Sequence, residues 1–520
     1  MNPLLLVTVV PIIAGILGFS TYRLRNEFNF LGTIITLYYS LYLFITARKQ
    51  VVSTYELFTF KNINFGFYLD AVGGILLLAV ALTGFLILLY SLRYMRNYKH
   101  MKTYYLFLLI TISIANAAIL ANNLFFLVIL STLSLIFLGI FLILTTENTS
   151  SITSPTFLIV GLSNILILLG ILILQSRFGN VSIVIDSHHR IIASDPILIT
   201  SFFLILIGIL GKIGLIPLHF WTLRVTKSPV TISTFIPMIL DKIVGVYLLF
   251  RISYCIFNIS ETQMVRLVIL CIGAISIIIA AILMIKEKDT FRFLTFSSII
   301  QLGLIFIGIG CANPFGIGGG FYHLINYLMF QPSLLLTIGS IEYWTKSTQF
   351  NSLEGLGAKM PLTFFALLIA ALASVGAPPF NGFFSKWLLF QGILKMNVSP
   401  LSMIFIIIAI FGSIINIIYF LKFLYSFQGK EIKVSQRIRD PGFTMWFPPV
   451  VLSVLCIILG ISVYSLSWRT IILPTLRTFF PGQPDMYPWT FSLAPILLIA
   501  SLLIGIIIFY ITRPKIINRA

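Results

Sequence analysis

The sequence predicts an all-α polytopic membrane protein of about 14–15 transmembrane helices, with two inverted five-helix repeats and with helices seven and twelve broken. Three observations lead there. Of 520 residues, 59% are hydrophobic and 9% charged, against roughly 25% charged in soluble domains. Apolar runs of membrane-crossing length recur between short polar clusters, and mean hydropathy is +1.05. Two of those runs are interrupted by Gly and Pro beside a lysine. Together they exclude a soluble enzyme, a disordered chain and a fibre. Strands are not expected, because the runs are too long and lack barrel-type alternation.

In order, spans fall near 3–20, 28–46, 68–91, 103–121, 123–145, 155–176, 197–221, 230–252, 264–285, 291–310, 316–341, 361–390, 400–425, 445–466 and 490–512. They group into N-terminal helices (1–102), a first repeat (103–255), a second repeat (260–428) and C-terminal helices (440–520). The first run lacks a charged leader and an A-x-A site, so it reads as a retained helix. The net charge of +19 reports topology and not nucleic acid. Placing the N-terminus outside puts Lys and Arg on the inner side about two to one.

The seventh span contains Gly211-Lys-Ile-Gly-Leu-Ile-Pro217-Leu-His219, and the twelfth contains Gly376-Ala-Pro-Pro-Phe-Asn-Gly-Phe-Phe-Ser-Lys386. Proline removes a backbone donor and clashes with the preceding turn. Broken helices survive in lipid where they are enclosed by protein or line a wet cavity. Lys212, Lys242 and Lys386 lie inside spans. Each would cost roughly 2.5–3.5 kcal/mol at a helix centre, so each is expected to be paired or to take part in ion transfer.

Other groups point to chemistry less strongly. Cys255, Cys271, Cys311 and Cys456 are scattered without a CxxC or Cys/His cluster, so no metal or redox cofactor is expected in this chain. Asp70 reads as a helix-start residue, His188-His189 as a loop pair without further ligands, and Gly316–Gly320 as a helix start and not a phosphate loop. The Arg93–Lys102 run is a topology signal, and Glu287 and Asp289 sit in a solvated loop.

Five segments carry a resemblance. They are Tyr90-Ser-Leu-Arg-Tyr-Met95, Gly211–Trp221, Leu240-Asp-Lys-Ile-Val-Gly-Val-Tyr-Leu-Leu-Phe-Arg251, Lys288–Gly303 and Pro378-Pro-Phe-Asn-Gly-Phe-Phe-Ser-Lys-Trp387. In this order the chain resembles the antiporter-like subunits of respiratory complex I, Mrp-type cation/proton antiporters and membrane-bound hydrogenases. The form of the C-terminal end is most similar to the shorter Mrp D-type and hydrogenase members.

The resemblance implies a proton path near the bilayer midplane through Lys212, Lys242, His323 and Lys386, with His219 as an extension. It also marks departures. A fifth-span glutamate is expected to pair with the seventh-span lysine; here Thr132 stands at that place. The eleventh span carries His323, Tyr327 and Gln331 at four-residue steps where the family often has His, His and Lys. Asp241 is one of few acids inside a span. It either faces Lys212 as its counterion or bonds a local hydroxyl or Lys242.

The expectation is an ion-translocating subunit, for protons or for sodium/proton exchange, in a redox-driven pump resembling a membrane-bound hydrogenase or complex I. The alternatives are a gradient-driven Mrp-type antiporter subunit and a degenerate subunit acting as a spacer. Expected partners are other membrane subunits, including further antiporter-like ones, a peripheral redox module carrying iron–sulfur or other centres, and the lipid bilayer, with no nucleic acid. The expected location is an energy-transducing membrane, the prokaryotic cell membrane.

Overall fold

Short polar side chains and prolines open the helices. Asn2, Asp195 and Asn313 each precede a proline and accept a hydrogen bond from the first turn, through Leu4 N, Ile197 N and Gly316 N. The cap satisfies one orphan donor and proline removes another. The computed structural model describes all residues except 1, 22, 50–52, 61–62, 146–148, 180, 184–194, 230, 232–240, 397–398, 428–437, 481–492 and 518–520. His188, His189 and most of the first half of the expected eighth span lie outside the described residues.

The chain divides into two units, Met1–Val265 with Pro474–Gln483, and Arg266–Leu473 with Pro484–Ala520. The expected N-terminal helices therefore share a unit with the first repeat. The C-terminal segment is divided between both.

In unit one, α1 (Pro3–Ser20) packs on α2 (Arg25–Arg48) and α4 (Met101–Leu120), and α2 packs on α3 (Ala71–Tyr94). Helices α5 (Leu124–Thr145), α6 (Thr149–Phe178) and α7 (Pro196–Ile213) follow, each packed on the one before. The short α8 (Phe220–Val225) and α9 (Lys242–Arg251) complete the unit, and α9 packs on α7.

Unit two contains α10 (Gln263–Lys286, from Arg266), α11 (Thr290–Gly310), α12 (Pro314–Thr345), α13 (Pro361–Val375), α14 (Asn381–Leu394), α15 (Ser399–Ser426), α16 (Phe443–Ile461) and α17 (Leu493–Ile517). Helix α12 is its axis, contacted by α11, α13, α14 and α16. The apolar cores of α11 and α12 are wholly enclosed, so any polar group on them is held inside protein.

One expectation is corrected. Between α2 and α3 lies an antiparallel hairpin, β1 (Ser53–Phe60) and β2 (Ile63–Leu69), with a register shift between Glu56 and Phe58. Its aromatic and β-branched residues suit a pleated pair. Each strand is too short to register as a span, which is why a search for long apolar runs passes over it. Asn122 locks it, accepting from Gly66 N (3.0 Å) and donating to Asn64 O (3.0 Å).

Among the described residues, eleven helices are long and apolar enough to cross a membrane, and three shorter apolar helices accompany them. The expected seventh span stops at Ile213. The expected twelfth is cut into α13 and α14.

Candidate functional site: two lysines at two broken helices

Both breaks share a local grammar. Helix α7 ends on Gly214 and α13 on Gly376, each in the left-handed conformation (φ 67° and 90°) that favours glycine. A proline follows three residues later, Pro217 or Pro379. An α-helical carbonyl accepts from the residue four positions on. The helix ends leave the last carbonyls without intrahelical donors, and Pro217, Pro378 and Pro379 bring no N–H of their own to Ile213 O, Ser374 O or Val375 O.

In unit one, Lys212 sits in the last turn of α7. Its Nζ donates to Asp241 Oδ1 at 2.8 Å, and the two side chains are 1% and 3% exposed. Asp241 and Lys242 are adjacent at the head of α9 and so lie about 100° apart around it. The structure brings Asp241 to Lys212, while Lys242 is fully buried on its own side of the helix. A dehydrated ion pair holds together because removing either partner strands the other charge at a cost of about 3–5 kcal/mol. Trp221 Nε1 donates to Gly211 O (2.8 Å), so an indole from α8 takes up a carbonyl of the last turn.

Thr132 is not part of this arrangement. It lies on the exposed face of α5 and its hydroxyl donates to Val128 O (2.8 Å) in its own helix. Its neighbour Ser131 is the buried one, beside Asn164. Helical rotation of about 100° per residue separates the two faces. Alignment by motif places Thr132 at the glutamate position, and the rotation of α5 turns it away. His219 is buried at the break, where its carbonyl accepts from the main chain and hydroxyl of Thr222.

In unit two the lysine follows the break. Lys386 Nζ, on α14, donates to Ser374 O (2.9 Å) and Val375 O (2.8 Å), two carbonyls at the end of α13. Gly382 lets α14 approach this closely, since a Cβ there would collide with Ala373 O. Gln301 Nε2 donates to Ser374 O (3.2 Å) and Ser374 Oγ (3.1 Å), and its Oε1 lies 3.0 Å from His323 Nε2. His323 Nδ1 lies 2.8 Å from Ser385 Oγ. The chain Lys386, Ser374, Gln301, His323, Ser385 is thus continuous and buried.

The donor count fixes the roles. Gln301 uses its NH2 on Ser374, so its oxygen accepts from His323 Nε2–H. In the neutral ring Nδ1 accepts from the Ser385 hydroxyl. In the charged ring Nδ1 donates, and the hydroxyl hydrogen turns to Gly382 O, 3.1 Å away. A proton can be held at His323 without breaking the chain.

One turn further along α12, Tyr327 OH pairs with Ser298 Oγ (2.7 Å), and about two turns along, Gln331 Nε2 donates to Leu294 O (3.0 Å). Both are buried on the face shared with His323, and both bond to α11.

Two parts escaped the sequence reading. Gln301 is a buried amide in the middle of an apolar helix, and that isolation was its signal. Arg251 closes α9 and is fully buried against Asp70, its Nη2 2.7 Å from the carboxylate, with Tyr247 below it at 4.9 Å. Asp70 also caps α3 by accepting from Gly73 N (2.8 Å). The two residues lie 181 positions apart, and no local pattern joins them.

Broken helices that hold buried lysines within a bundle of apolar helices define a polytopic membrane protein of the ion-transfer class. The chain belongs to the NADH:quinone oxidoreductase/Mrp antiporter transmembrane family, whose sequence model matches residues 121–413. The model for the N-terminus of NADH–ubiquinone oxidoreductase (complex I) chain 5 matches residues 58–105.

The chain is 27% identical over 277 residues to Na(+)/H(+) antiporter subunit A1 of Staphylococcus haemolyticus, covering 49% of this chain and 34% of that one. It is 27% identical over 282 residues to NADH-quinone oxidoreductase subunit N of Desulforudis audaxviator, covering 50% and 55%. The match thus spans about a third to a half of these relatives' length. A chain of the Mrp complex from Dietzia sp. DQ12-45-1b superposes with TM-score 0.87 at 19% identity, over 99% of this chain and 56% of that chain. A chain of respiratory complex I from Thermus thermophilus gives TM-score 0.80 at 20% identity, over 92% and 99%. At such identities the likeness shows the fold. The protein is integral to a membrane and has the antiporter-like fold.

Proposed function

We propose that this chain is an ion-translocating subunit of a multi-subunit membrane complex and that it moves protons through its two broken-helix sites. The observation that carries this is the buried chain from Lys386 through Ser374, Gln301 and His323 to Ser385. It is a run of hydrogen-bonding groups, with a lysine and a histidine that can exchange protons, enclosed within the helices of unit two. The Lys212–Asp241 pair gives unit one a second proton-exchanging centre.

Its partners are other membrane subunits in a prokaryotic energy-transducing membrane, with the N-terminus of this chain outside. The energy source is either a peripheral redox module or an existing ion gradient. The gradient-driven reading has its own support in the sequence relatives named as Na(+)/H(+) antiporter subunits.

Two experiments test this. Everted vesicles carrying the chain and its partners should acidify when energised, read by quenching of a pH-sensitive dye. The double variant Lys212→Ala, Lys386→Met should abolish the signal while the complex still assembles. Acidification unchanged by that double variant would overturn the proposal and leave a structural spacer. Gentle purification through this chain, with the co-purifying subunits identified by mass spectrometry, separates the energy sources. Iron–sulfur partners mean a redox pump, and small hydrophobic partners alone mean a gradient-driven exchanger.

A further inference from the structure

The cradle around Lys386 is built like a site for an alkali cation. Ser374 O and Val375 O converge on one point, 2.9 and 2.8 Å from Nζ. Pro378 and Pro379, which follow them, offer no main-chain N–H of their own to compete. The end of α13 adds the partial negative charge of a helix C-terminus. Two amides stand at the same carbonyl, Gln301 Nε2 at 3.2 Å and Asn416 Nδ2 at 3.5 Å. Rotating either amide would present an oxygen in place of its NH2. Ser374 Oγ lies beside them, accepting from Gln301 at 3.1 Å.

Uncharged oxygens at the end of an interrupted helix are the ligands with which membrane carriers and filters replace the water around sodium or potassium. The cradle is buried, and among the described residues no carboxylate pairs with the ammonium in it.

We propose that the Ser374 and Val375 carbonyls form a monovalent alkali-cation site whose built-in occupant is the Lys386 ammonium, so that Lys386 keeps sodium and potassium out of unit two. The tethered ammonium competes intramolecularly with free ions, and its two hydrogen bonds keep it seated on both carbonyls. The hydrogen-bonded chain beside it, through Gln301 and His323, still has room for protons. Lys386 is therefore a specificity-determining residue. The inference rests on the reading as an ion-translocating subunit and deepens it, naming the proton as the ion unit two passes.

The test measures equilibrium binding of radiolabelled sodium and rubidium to the full chain, purified with its partner subunits in lipid nanodiscs. The wild type should show no saturable binding. Lys386→Met and Lys386→Gln should each gain one saturable site, tighter than any wild-type binding by about ten-fold or more. Lys386→Arg should gain none, because it keeps the charge in place. Adding Gln301→Leu to Lys386→Met should weaken the new site, and ethylammonium should displace sodium from it.

Saturable wild-type binding as tight as that of the Met variant overturns the proposal. So does a folded Met or Gln variant, judged by melting temperature and subunit composition, that gains no site. The wild type gives a check that needs no variant: its proton uptake should be insensitive to high sodium, and inhibition by sodium overturns the proposal too. Proton uptake by the wild-type complex in sealed vesicles, set beside the variants' binding in nanodiscs, separates the two readings. Uptake without a gained site leaves translocation standing and removes the cradle; a gained site without uptake does the reverse.

Discussion

Lys212 and Lys386 meet the same problem at equivalent breaks, and the two units answer it differently. Matched on their terminal glycines, Gly214 with Gly376 and Pro217 with Pro379, the two segments place Lys212 opposite Ser374 and Lys386 opposite Arg224. Unit one keeps its lysine before the break and neutralises it with a carboxylate from α9. Unit two moves the lysine beyond the break and returns it to two carbonyls at the end of α13. Position 216 is Ile in the first segment, whereas its match, 378, is Pro. Trp221, which takes up a carbonyl in unit one, is matched by Phe383, which has no N–H to offer.

The difference is between a formal ion pair and an ammonium held by dipoles. An ion pair is strong only while both members remain; a dipole cradle keeps other donors when its cation leaves.

The largest expected effect follows from that contrast. Asp241→Asn strands Lys212 and should cost about 3–5 kcal/mol, read as a lower melting temperature of the full chain. Adding Lys212→Met should recover most of the loss without restoring proton transfer. If the single variant melts like wild type, the two units do not differ as described.

Lys386→Met should cost less, about 1.5–3 kcal/mol for the lost charged hydrogen bonds, because Ser374 O still accepts from Gln301 and Asn416. A larger loss than for Asp241→Asn would reverse the ranking. Gln301→Leu removes the link between Ser374 and His323 at about 1–3 kcal/mol. Proton uptake should fall in an assembled complex, while uptake at the wild-type rate would take Gln301 out of the chain.

The smallest effect belongs to Thr132. On the exposed face of α5, Thr132→Val should change stability by less than about 0.5 kcal/mol. Thr132→Glu should not rescue Asp241→Asn, since its carboxylate faces away from Lys212. A rescue in melting temperature would show that position 132 reaches Lys212.

Much of this was legible in the sequence because lipid imposes simple rules. Long apolar runs, the Gly–Pro breaks beside Lys212 and Lys386, and an acid such as Asp241 inside a span are local features that a sequence shows directly. Asp241 was singled out, yet its direction was open, since a residue beside Lys242 on a helix can face either way until the helix is docked on α7. The hairpin at Ser53–Leu69 was missed because its strands are shorter than a span. The exposed direction of Thr132 could not be read from its motif, which gives a position along a helix and not a rotation about it.

The sequence by itself determined the membrane class and the two breaks, because apolar length and the Gly and Pro residues that interrupt a helix are local features. Only the tertiary structure decided what met the polar groups there: Asp241 for Lys212, the α13 carbonyls for Lys386, Gln301 for His323, and Asp70 for Arg251. Such partners come from segments far apart in sequence. Their meeting depends on helix packing, which no local pattern of residues encodes.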